Sequence, residues 1–540
     1  MKKYVVSILS ILMASVSFAE IQLPKIFADN MVLQRAKPLK IWGKASPNAK
    51  VDVEFSQIRK STKADASGDW NVVFAPLNTL ATPQKMDFYE NGNLSKTINN
   101  ILVGEVWVLG GQSNMSWPLL PTIGGKEAVA RASKYSDIRC FKNSKNCLPD
   151  EIKNLKLGYF EMLSLCQSEM AETPQKDYSQ NWKWETTADA KNAELWSAIG
   201  FYFAEGLRTK LDVPVGIIMV SLGGSPMSAW IPEKNMSKNK VLQTKWSVFK
   251  KQRDKWLQDG GYEKAVAEYQ QKVLDNPKVR AGKRIAGGWR VYLPPSKLTH
   301  IGHSSTPCYN FNAKVAPLEN LAVAGILWYQ GESDCGVKKA EDFNCQLLAV
   351  IESWRELFGN VPFIQAQLSS FGKGANWATV RDVQLRTAIE QAGVFCVNTI
   401  DVGDKKDVHP RDKKTVADRM VRTAFAEIYN GDRTGAFSPS MKSVEYQGNV
   451  ARVSFDHYDG VIEMRGKANG FKVCVNGKWQ EAKASIKNNI LEMVSLDGSE
   501  IDGVSYLWEQ YPMEKVCLYT KESLPVFPFF HMKGNGERLQ

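Results

Sequence analysis

One serine and one histidine of the sequence have the surroundings that nucleophilic catalysis requires. Ser113 follows Gly110, Gly111 and Gln112 at the end of an apolar run, where glycines permit a sharp turn that exposes a hydroxyl near unpaired backbone N–H groups. A serine needs a base to take its proton, and histidine is the usual base near neutral pH. The candidates are His300, His303, His409, His457 and His531. Only His409 follows a predicted sheet strand, has aspartates upstream and precedes a predicted helix, so the pair indicates acyl transfer.

Two further apolar runs end in glycine and polar residues. Gly223 and Gly224 follow the run 215–220, and Gln330, Gly331 and Glu332 follow the run 324–328. Each cluster alone is explained equally well by a helix cap or a tight turn. At one edge of a sheet, however, the N–H groups of Ser113 and Gly224 and the amide of Gln330 become candidate donors to an oxyanion.

The acid that would orient His409 has more than one candidate. Asp407 lies two residues before the histidine, and residues i and i+2 of an extended loop project to the same side. Asp404 reaches His409 if the loop folds back, whereas Asp401 is expected to cap the loop or to pair with a neighbouring lysine. We favour Asp407, with Asp404 and a dyad that relies on a backbone carbonyl as alternatives.

The elements that must position these residues follow an α/β pattern. Nearly continuous apolar runs occur at 106–109, 215–220, 324–328, 362–366 and 394–397, and amphipathic helical stretches occur at 194–210, 343–358, 380–391 and 411–429. Apolar strands that alternate with helices are typical of a doubly wound parallel sheet, in which ligands bind at the carboxyl ends of the strands. Those are the ends that carry the candidate residues.

Regions of a different kind flank this core. Residues 20–100 alternate with period two and predict an N-terminal β-sandwich, and residues 433–540 predict a C-terminal β-rich region. The catalytic domain is therefore expected at 101–432. A basic, helical insertion is expected within it at about 233–299. Between residues 233 and 284 there are 14 Lys or Arg against 6 Asp or Glu.

The net charge of +12 raises the question of a nucleic-acid partner. Much of the surplus lies in the insertion, where a solvated helix face is the simpler interpretation than a polyanion site. No nucleic-acid-binding motif accompanies it, so no nucleic-acid partner is expected. The sequence does not indicate an oligomeric state.

The first 19 residues predict a signal peptide. Two lysines precede an apolar run at 4–16, and Ser17, Phe18 and Ala19 form a small-x-small cleavage site. The mature protein is expected to be exported, to the periplasm or beyond, without stable membrane insertion. Among nine cysteines, Cys140/Cys147 and Cys335/Cys345 are spaced for bridges, although buried free thiols are an equal alternative. No C-x-x-C pair or H-E-x-x-H motif occurs, and neither a metal nor a cofactor is expected.

Several blocks resemble the sialate O-acetylesterase family, which lies within the SGNH hydrolase superfamily. They are 104–107 with 111–118, 223–226 with Trp230, 309–310 with 316–318 and 328–333, and 407–413. Shorter likenesses at 30–35 and 524–529 extend the resemblance over most of the mature chain. The resemblance implies Ser113 as nucleophile, His409 as base, Asp407 as acid, and Gly224 and Gln330 as oxyanion donors. It also implies substrate contacts from Gln112, Asn114, Trp117, Trp230, Asn310 and Glu332.

The implied reaction is hydrolysis of an acetyl ester on a carbohydrate through an acetyl-serine intermediate. The sugar is a sialic acid by resemblance, and acetylated xylan or another polysaccharide is the alternative. Trp117 and Trp230 are available to stack on sugar rings, or else belong to the core. A hypothesis of another class is a catalytically inactive carbohydrate-binding protein, but it requires a broken Ser/His pair.

Overall fold

The structure is a computed structural model of the 540-residue chain. It describes residues 20–144, 154–156, 169–287, 289–301, 304–336, 339–374, 376–456 and 460–534. The predicted signal peptide, two cysteines (Cys147 and Cys166) and two histidines (His303 and His457) lie outside these ranges. None of the helices within them has the length and hydrophobicity that a membrane crossing requires.

The N-terminal region consists of strands, as the alternating sequence predicts. They are β1 (Val32–Gln34), β2 (Leu39–Lys44), β3 (Lys50–Phe55), β4 (Ile58–Lys63), β5 (Asp69–Phe74), β6 (Leu80–Glu90) and β7 (Asn93–Gly111). β3 pairs with β4 and β6, β6 pairs with β7, and β2 pairs with β5, all antiparallel. The alternation at 51–55 buries Val51, Val53 and Phe55 in the core. Burial of alternate side chains is the pattern of a strand with one face on a core.

β7 joins this region to the next one. Its first half pairs with β6, and its second half lies within the central sheet. The predicted domain boundary at residue 100 therefore falls inside a strand of 19 residues rather than in a linker.

The central sheet carries the candidate site. It adds β8 (Ile138–Asn143), β9 (Trp182–Thr186), β10 (Val215–Met219), β11 (Gly325–Tyr329), β12 (Phe363–Ala366) and β14 (Val394–Val397). The strand order is β14-β12-β11-β7-β10-β8-β9. All five predicted apolar runs form strands here, and their pairings are parallel. The sheet as a whole is mixed rather than purely parallel, because β9 runs antiparallel to β8 and the N-terminal strands extend the sheet through β7.

The strand order reverses beside β7. The chain forms β8 and β10 on one side of β7 and then crosses to form β11, β12 and β14 on the other. Such a reversal opens a crevice at the carboxyl ends of the strands, where open α/β sheets bind ligands. Ser113 follows the strand at the centre of this reversal.

The helices are α1 (Ser113–Ser116), α2 (Gly125–Ala132), α3 (Ala190–Glu194), α4 (Ala198–Leu211), α5 (Glu233–Met236), α6 (Lys240–Gln258), α7 (Gly261–Tyr269), α8 (Pro277–Arg280), α9 (Ala340–Phe358), α10 (Trp377–Glu390) and α11 (Lys413–Ile428). The four predicted helical stretches correspond to α4, α9, α10 and α11. α4 begins later than predicted because the Ser197 hydroxyl accepts from the N–H of Gly200, 3.0 Å away, and so caps the helix. Helices α5 to α8 lie within the range 233–299 where the insertion is predicted.

The C-terminal region is β-rich, as predicted. Two short strands, β13 (Ser370–Phe371) and β15 (Gly403–Asp404), pair with each other before it begins. The region then contains β16 (Ser440–Gln447), β17 (Val450–Asp456), β18 (Ile462–Met464), β19 (Phe471–Val475), β20 (Lys478–Lys487), β21 (Ile490–Ser495), β22 (Gly503–Tyr506), β23 (Leu518–Thr520) and β24 (Phe529–Met532). Seven of these strands form one antiparallel sheet with its own hydrophobic core.

The described cysteines are free thiols. Cys335 and Cys345 do not form the predicted bridge: the thiol of Cys335 donates to the carbonyl of Gly331, and that of Cys345 donates to the carbonyl of Asp342. Cys140 is a buried free thiol on β8, and its predicted partner Cys147 lies outside the described residues. Burial as small apolar side chains, the alternative weighed from sequence, describes most of them.

Candidate active site

Ser113 lies directly after the turn that ends β7. Gly111 adopts a φ of +117°, and a Cβ at this position would lie 2.2 Å from the carbonyl oxygen of Tyr329. Only glycine fits such a turn, because other residues meet both the backbone strain and the close carbonyl. The N–H of Gln112 then donates to the Tyr329 carbonyl at 2.9 Å. The strand end thus holds Ser113 at the first position of α1.

His409 belongs to a loop that its aspartates shape. Its Nδ1 lies 3.1 Å from Asp407 Oδ1, and its backbone N–H donates to the same oxygen at 3.0 Å. Asp404 does not orient the ring; its carboxylate accepts from the N–H groups of Lys406 and Asp407 and so fixes the turn. Asp401 pairs with Arg419. Of the three candidate acids, the structure therefore brings Asp407 into contact with the imidazole.

The histidine loop packs directly on the helix of the serine. The indole of Trp117 stacks on the His409 ring with centroids 4.6 Å apart and planes 27° apart. Asn114 Nδ2 donates to the carbonyl of Val408 at 3.0 Å. Since these contacts come from the residues one and four positions after Ser113, the serine and the histidine lie at the same edge of the sheet.

The environment of His409 favours the neutral imidazole. The pKa of His409 is lowered to about 4, first by burial and second by the positive charge of Lys413. Asp407 opposes both effects. A neutral imidazole whose Nδ1–H faces a carboxylate presents Nε2 as a proton acceptor. His409 is therefore in the form that a general base requires at neutral pH.

The glycine loop after β10 lies against the serine turn. The N–H of Leu222 donates to the carbonyl of Gly111 at 3.0 Å, and Ser225 Oγ donates to the carbonyl of Leu222 at 2.7 Å. Gly224 lies between Leu222 and Ser225 in the chain and adopts a φ of +71°. Its position beside the turn keeps it a candidate oxyanion donor.

Gln330 has a different environment from the one expected of a free donor. Its Nε2 lies 2.6 Å from Asp334 Oδ2, 3.2 Å from the carbonyl of Ser225 and 3.3 Å from Gln112 Oε1. A primary amide has two N–H groups, and three protein acceptors already surround them. Gln330 thus ties together the loops that follow β7, β10 and β11, which favours a positioning role over direct donation.

The two tryptophans that are predicted to contact substrate are both buried in the structure. Trp230 is 0% exposed and packs edge-on against Trp328 and Trp354, which corresponds to the core position that the sequence left open as the alternative. Trp117 is 5% exposed, because His409 stacks on it and the Arg411 guanidinium lies 4.4 Å from its ring. Its observed partners are therefore protein groups.

The four predicted polar contacts are also bonded to the protein. Gln112 Oε1 accepts from the N–H of Ser333, and Asn310 is fully buried with Nδ2 directed at the carbonyl of Ser304. Asn114 Nδ2 donates to Glu332 Oε1 at 2.5 Å. The contacts of Gln112, Asn114 and Glu332 connect neighbouring loops of the site, whereas that of Asn310 stays within its own segment.

Two cations next to His409 were missed. Lys413 is buried and bonded to Asn114, and Arg411 lies between the Trp117 ring and Asp407. Their spacing of two and four residues from His409 is a weak signal, since charged residues at a helix start usually face solvent. Within the described ranges, no group of three His, Cys, Asp or Glu is arranged to hold a metal ion.

Comparisons with known proteins agree with the resemblance in the motifs. A family model described as carbohydrate esterase, sialic acid-specific acetylesterase, matches residues 304–427. Sialate O-acetylesterases of Rattus norvegicus and Homo sapiens are 24% identical to this chain over 93% of its length, covering 93% and 90% of those proteins. A solved carbohydrate acetylesterase from Xanthomonas citri is 25% identical, covers 95% of this chain and 100% of its own, and superimposes with a TM-score of 0.75.

These findings define the chain as an ester hydrolase of the carbohydrate esterase class. Within that class it is a distant relative of the sialate O-acetylesterases, which confirms the family that its motifs resemble. The family match at 304–427 includes Gln330, His409 and Asp407.

Proposed function

We propose that the protein is a serine esterase that removes O-acetyl groups from carbohydrate through an acetyl-serine intermediate. The observation that carries the proposal is the contact between the histidine loop and the segment of Ser113. His409, oriented by Asp407, stacks on Trp117 directly after α1, and Asn114 of α1 donates to the carbonyl of Val408. A binding protein without activity has no need of a neutral, carboxylate-oriented imidazole packed against the segment that carries Ser113.

In the first half of the reaction, Ser113 Oγ attacks the acetyl carbonyl carbon while His409 Nε2 takes the hydroxyl proton. Asp407 holds the Nδ1–H and stabilises the imidazolium that forms. The tetrahedral intermediate then collapses, the bond from the acetyl carbon to the sugar oxygen breaks, and His409 returns the proton to that oxygen.

In the second half, water attacks the acetyl-serine and His409 takes its proton. Acetate leaves, and the imidazolium returns the proton to Ser113 Oγ. The negative charge of both tetrahedral intermediates is held by the N–H groups of Ser113 and Gly224. Gln330 contributes by keeping the loops that carry these N–H groups in register.

The substrate we propose is an O-acetylated sialic acid, with acetylated xylan or another polysaccharide as the alternative. The curated relatives named above are sialate O-acetylesterases, and the Xanthomonas citri relative is a carbohydrate acetylesterase. Arg411 supports the first choice, because its half-exposed guanidinium lies at the edge of the site and can receive a sugar carboxylate. Neutral xylan offers no such group.

Acetate release from a panel of substrates tests this proposal. The panel holds 9-O-acetyl-N-acetylneuraminic acid, acetylated xylan, acetylated pectin and an aryl acetate, each with wild type, Ser113→Ala and Ser116→Ala. Ser116 is the matched control, because it lies on the same helix and its hydroxyl only donates to the carbonyl of Gln112. Loss of activity in Ser113→Ala alone supports the serine mechanism, and no release from any acetylated sugar by the wild type contradicts the proposal.

The basic insertion does not require a polyanionic partner. Lys234 and Lys238 on and beside α5 pair with Glu356 on α9, and Lys245 on α6 lies 3.5 Å from Asp334. The insertion is thus bound electrostatically to the catalytic region. The export predicted from residues 1–19 belongs with this proposal.

A further inference from the structure

Lys413 is a buried cation beneath the candidate active site. It is the first residue of α11 and is 0% exposed. Its Nζ donates to Asn114 Oδ1 and lies 5.7 Å from the centroid of the Tyr329 ring and 5.9 Å from that of Trp117. A lysine is almost never fully buried unless other groups compensate its charge, so these contacts need an explanation.

Asn114 connects this cation to the rest of the site. The oxygen of its amide faces the ammonium of Lys413, and the nitrogen donates to Glu332 Oε1 and to the carbonyl of Val408. The amide therefore lies between a cation and an anion with its dipole aligned to both. Through one side chain, four segments are joined: α1, the loop after β11, the histidine loop and the start of α11.

The charges around Lys413 come from three of these segments. Glu332 faces it from the loop after β11, and Asp407 and His409 face it from the histidine loop. Arg411 and Asp412 precede it in the chain. Burial lowers the pKa of Lys413 to about 7, while Glu332 acts to raise it, and burial raises the pKa of Glu332. Below neutral pH, Lys413 is therefore charged, and its charge lowers the pKa of His409 more than that of Arg411 does.

We propose that Lys413 is a positioning residue that, through Asn114, fixes the helix of Ser113 against the histidine loop. The positive charge of Lys413 also acts on His409, which its side chain faces across the same site. This inference rests on the proposed serine mechanism. Its geometric part predicts a loss in kcat, because misalignment of nucleophile and base acts on the chemical step. Its electrostatic part predicts a change in the pH profile, because removing a nearby like charge raises the pKa of an imidazole.

The test compares Lys413→Met with Lys414→Met. Both replace a lysine in the first turn of α11, but Lys414 is half-exposed and pairs with Asp418. For Lys413→Met we expect kcat to fall on the order of 10²-fold with little change in KM, and the acid limb of kcat/KM to move up by about one pH unit. For Lys414→Met we expect both to match the wild type. An NMR titration of labelled histidine follows His409 directly in each variant.

The outcomes separate this inference from the proposed function. Full activity in Ser113→Ala contradicts the serine mechanism itself. If Ser113→Ala is inactive but folded Lys413→Met keeps the wild-type acid limb and kcat, the inference alone is wrong. If Lys413→Met does not fold, Lys413→Gln replaces it, because glutamine keeps an N–H donor near Asn114 without the positive charge. The acid limb of kcat/KM for Lys413→Gln must then show the same upward shift. In the wild type, a titration of His409 at pH 6 or above overturns the electrostatic part whatever the variants do.

Discussion

Replacement of Asp407 by asparagine tests the orientation of His409, the proposed catalytic base. The carboxylate Oδ1 receives both the ring Nδ1 and the backbone N–H of His409, at 3.1 and 3.0 Å. The asparagine oxygen can keep the backbone contact, but the amide can also turn its N–H₂ toward the ring and hold the imidazole as the wrong tautomer. We therefore expect Asp407→Asn to fold and to lose kcat by about 10²–10⁴, which corresponds to about 3–5 kcal/mol of transition-state stabilisation.

The matched control is Asp404→Asn. Asp404 accepts from two backbone N–H groups with one oxygen, which asparagine retains, and it does not contact the His409 ring. We expect its kcat to stay within about tenfold of the wild type. The assay is steady-state acetate release between about pH 3 and pH 8, so that both acid limbs fall within the range. Because Asp407 raises the pKa of His409, the acid limb of Asp407→Asn should move to lower pH. Full activity in Asp407→Asn together with loss in Asp404→Asn would refute the assignment.

Three further predictions follow from the same site. Gln330→Ala should lower kcat by about 10²-fold and raise KM much less, because it removes the contacts with Asp334 and Ser225. A change in KM alone would make Gln330 a substrate contact. His409 has its folded pKa near 4, below the 6.5 of an exposed imidazole, so the stability that it contributes above pH 6.5 is lost as the pH falls toward 4. That loss is about 3 kcal/mol, and the unfolding temperature should fall less steeply in His409→Gln than in the wild type. The exported protein should begin at or near Glu20. Mass spectrometry that finds the protein in the soluble cytoplasmic fraction with an intact N-terminus would contradict this.

Much of the fold could be predicted because its signals are local. The apolar runs that form β7, β10, β11, β12 and β14 stand out without any knowledge of their partners. The length of β7 could not be predicted, because its two halves are held by different neighbours. The antiparallel strand β9 was also missed, since its pairing with β8 depends on residues far apart in sequence.

The candidate site shows where such signals end. Asp407 was favoured from its spacing to His409, but only the folded loop shows that Asp404 binds backbone N–H groups instead. Trp230 and Trp117 have the same side chain, and the sequence does not distinguish a core tryptophan from one that stacks on His409. Lys413 was missed because a lysine at a helix start is expected to be solvated, and its burial depends on Asn114, about 300 positions earlier in the chain.

Covalent labelling of the nucleophile tests the central claim most directly. The protein is incubated with a fluorophosphonate that forms a stable adduct with an activated serine, and the modified peptide is identified by mass spectrometry beside an assay of acetate release. Wild-type protein should carry one adduct, on Ser113, that forms in parallel with loss of activity, and His409→Gln should label far more slowly because the base is gone. An adduct on another serine with loss of activity, or full inactivation while Ser113 stays unmodified, would contradict the serine mechanism proposed for this esterase.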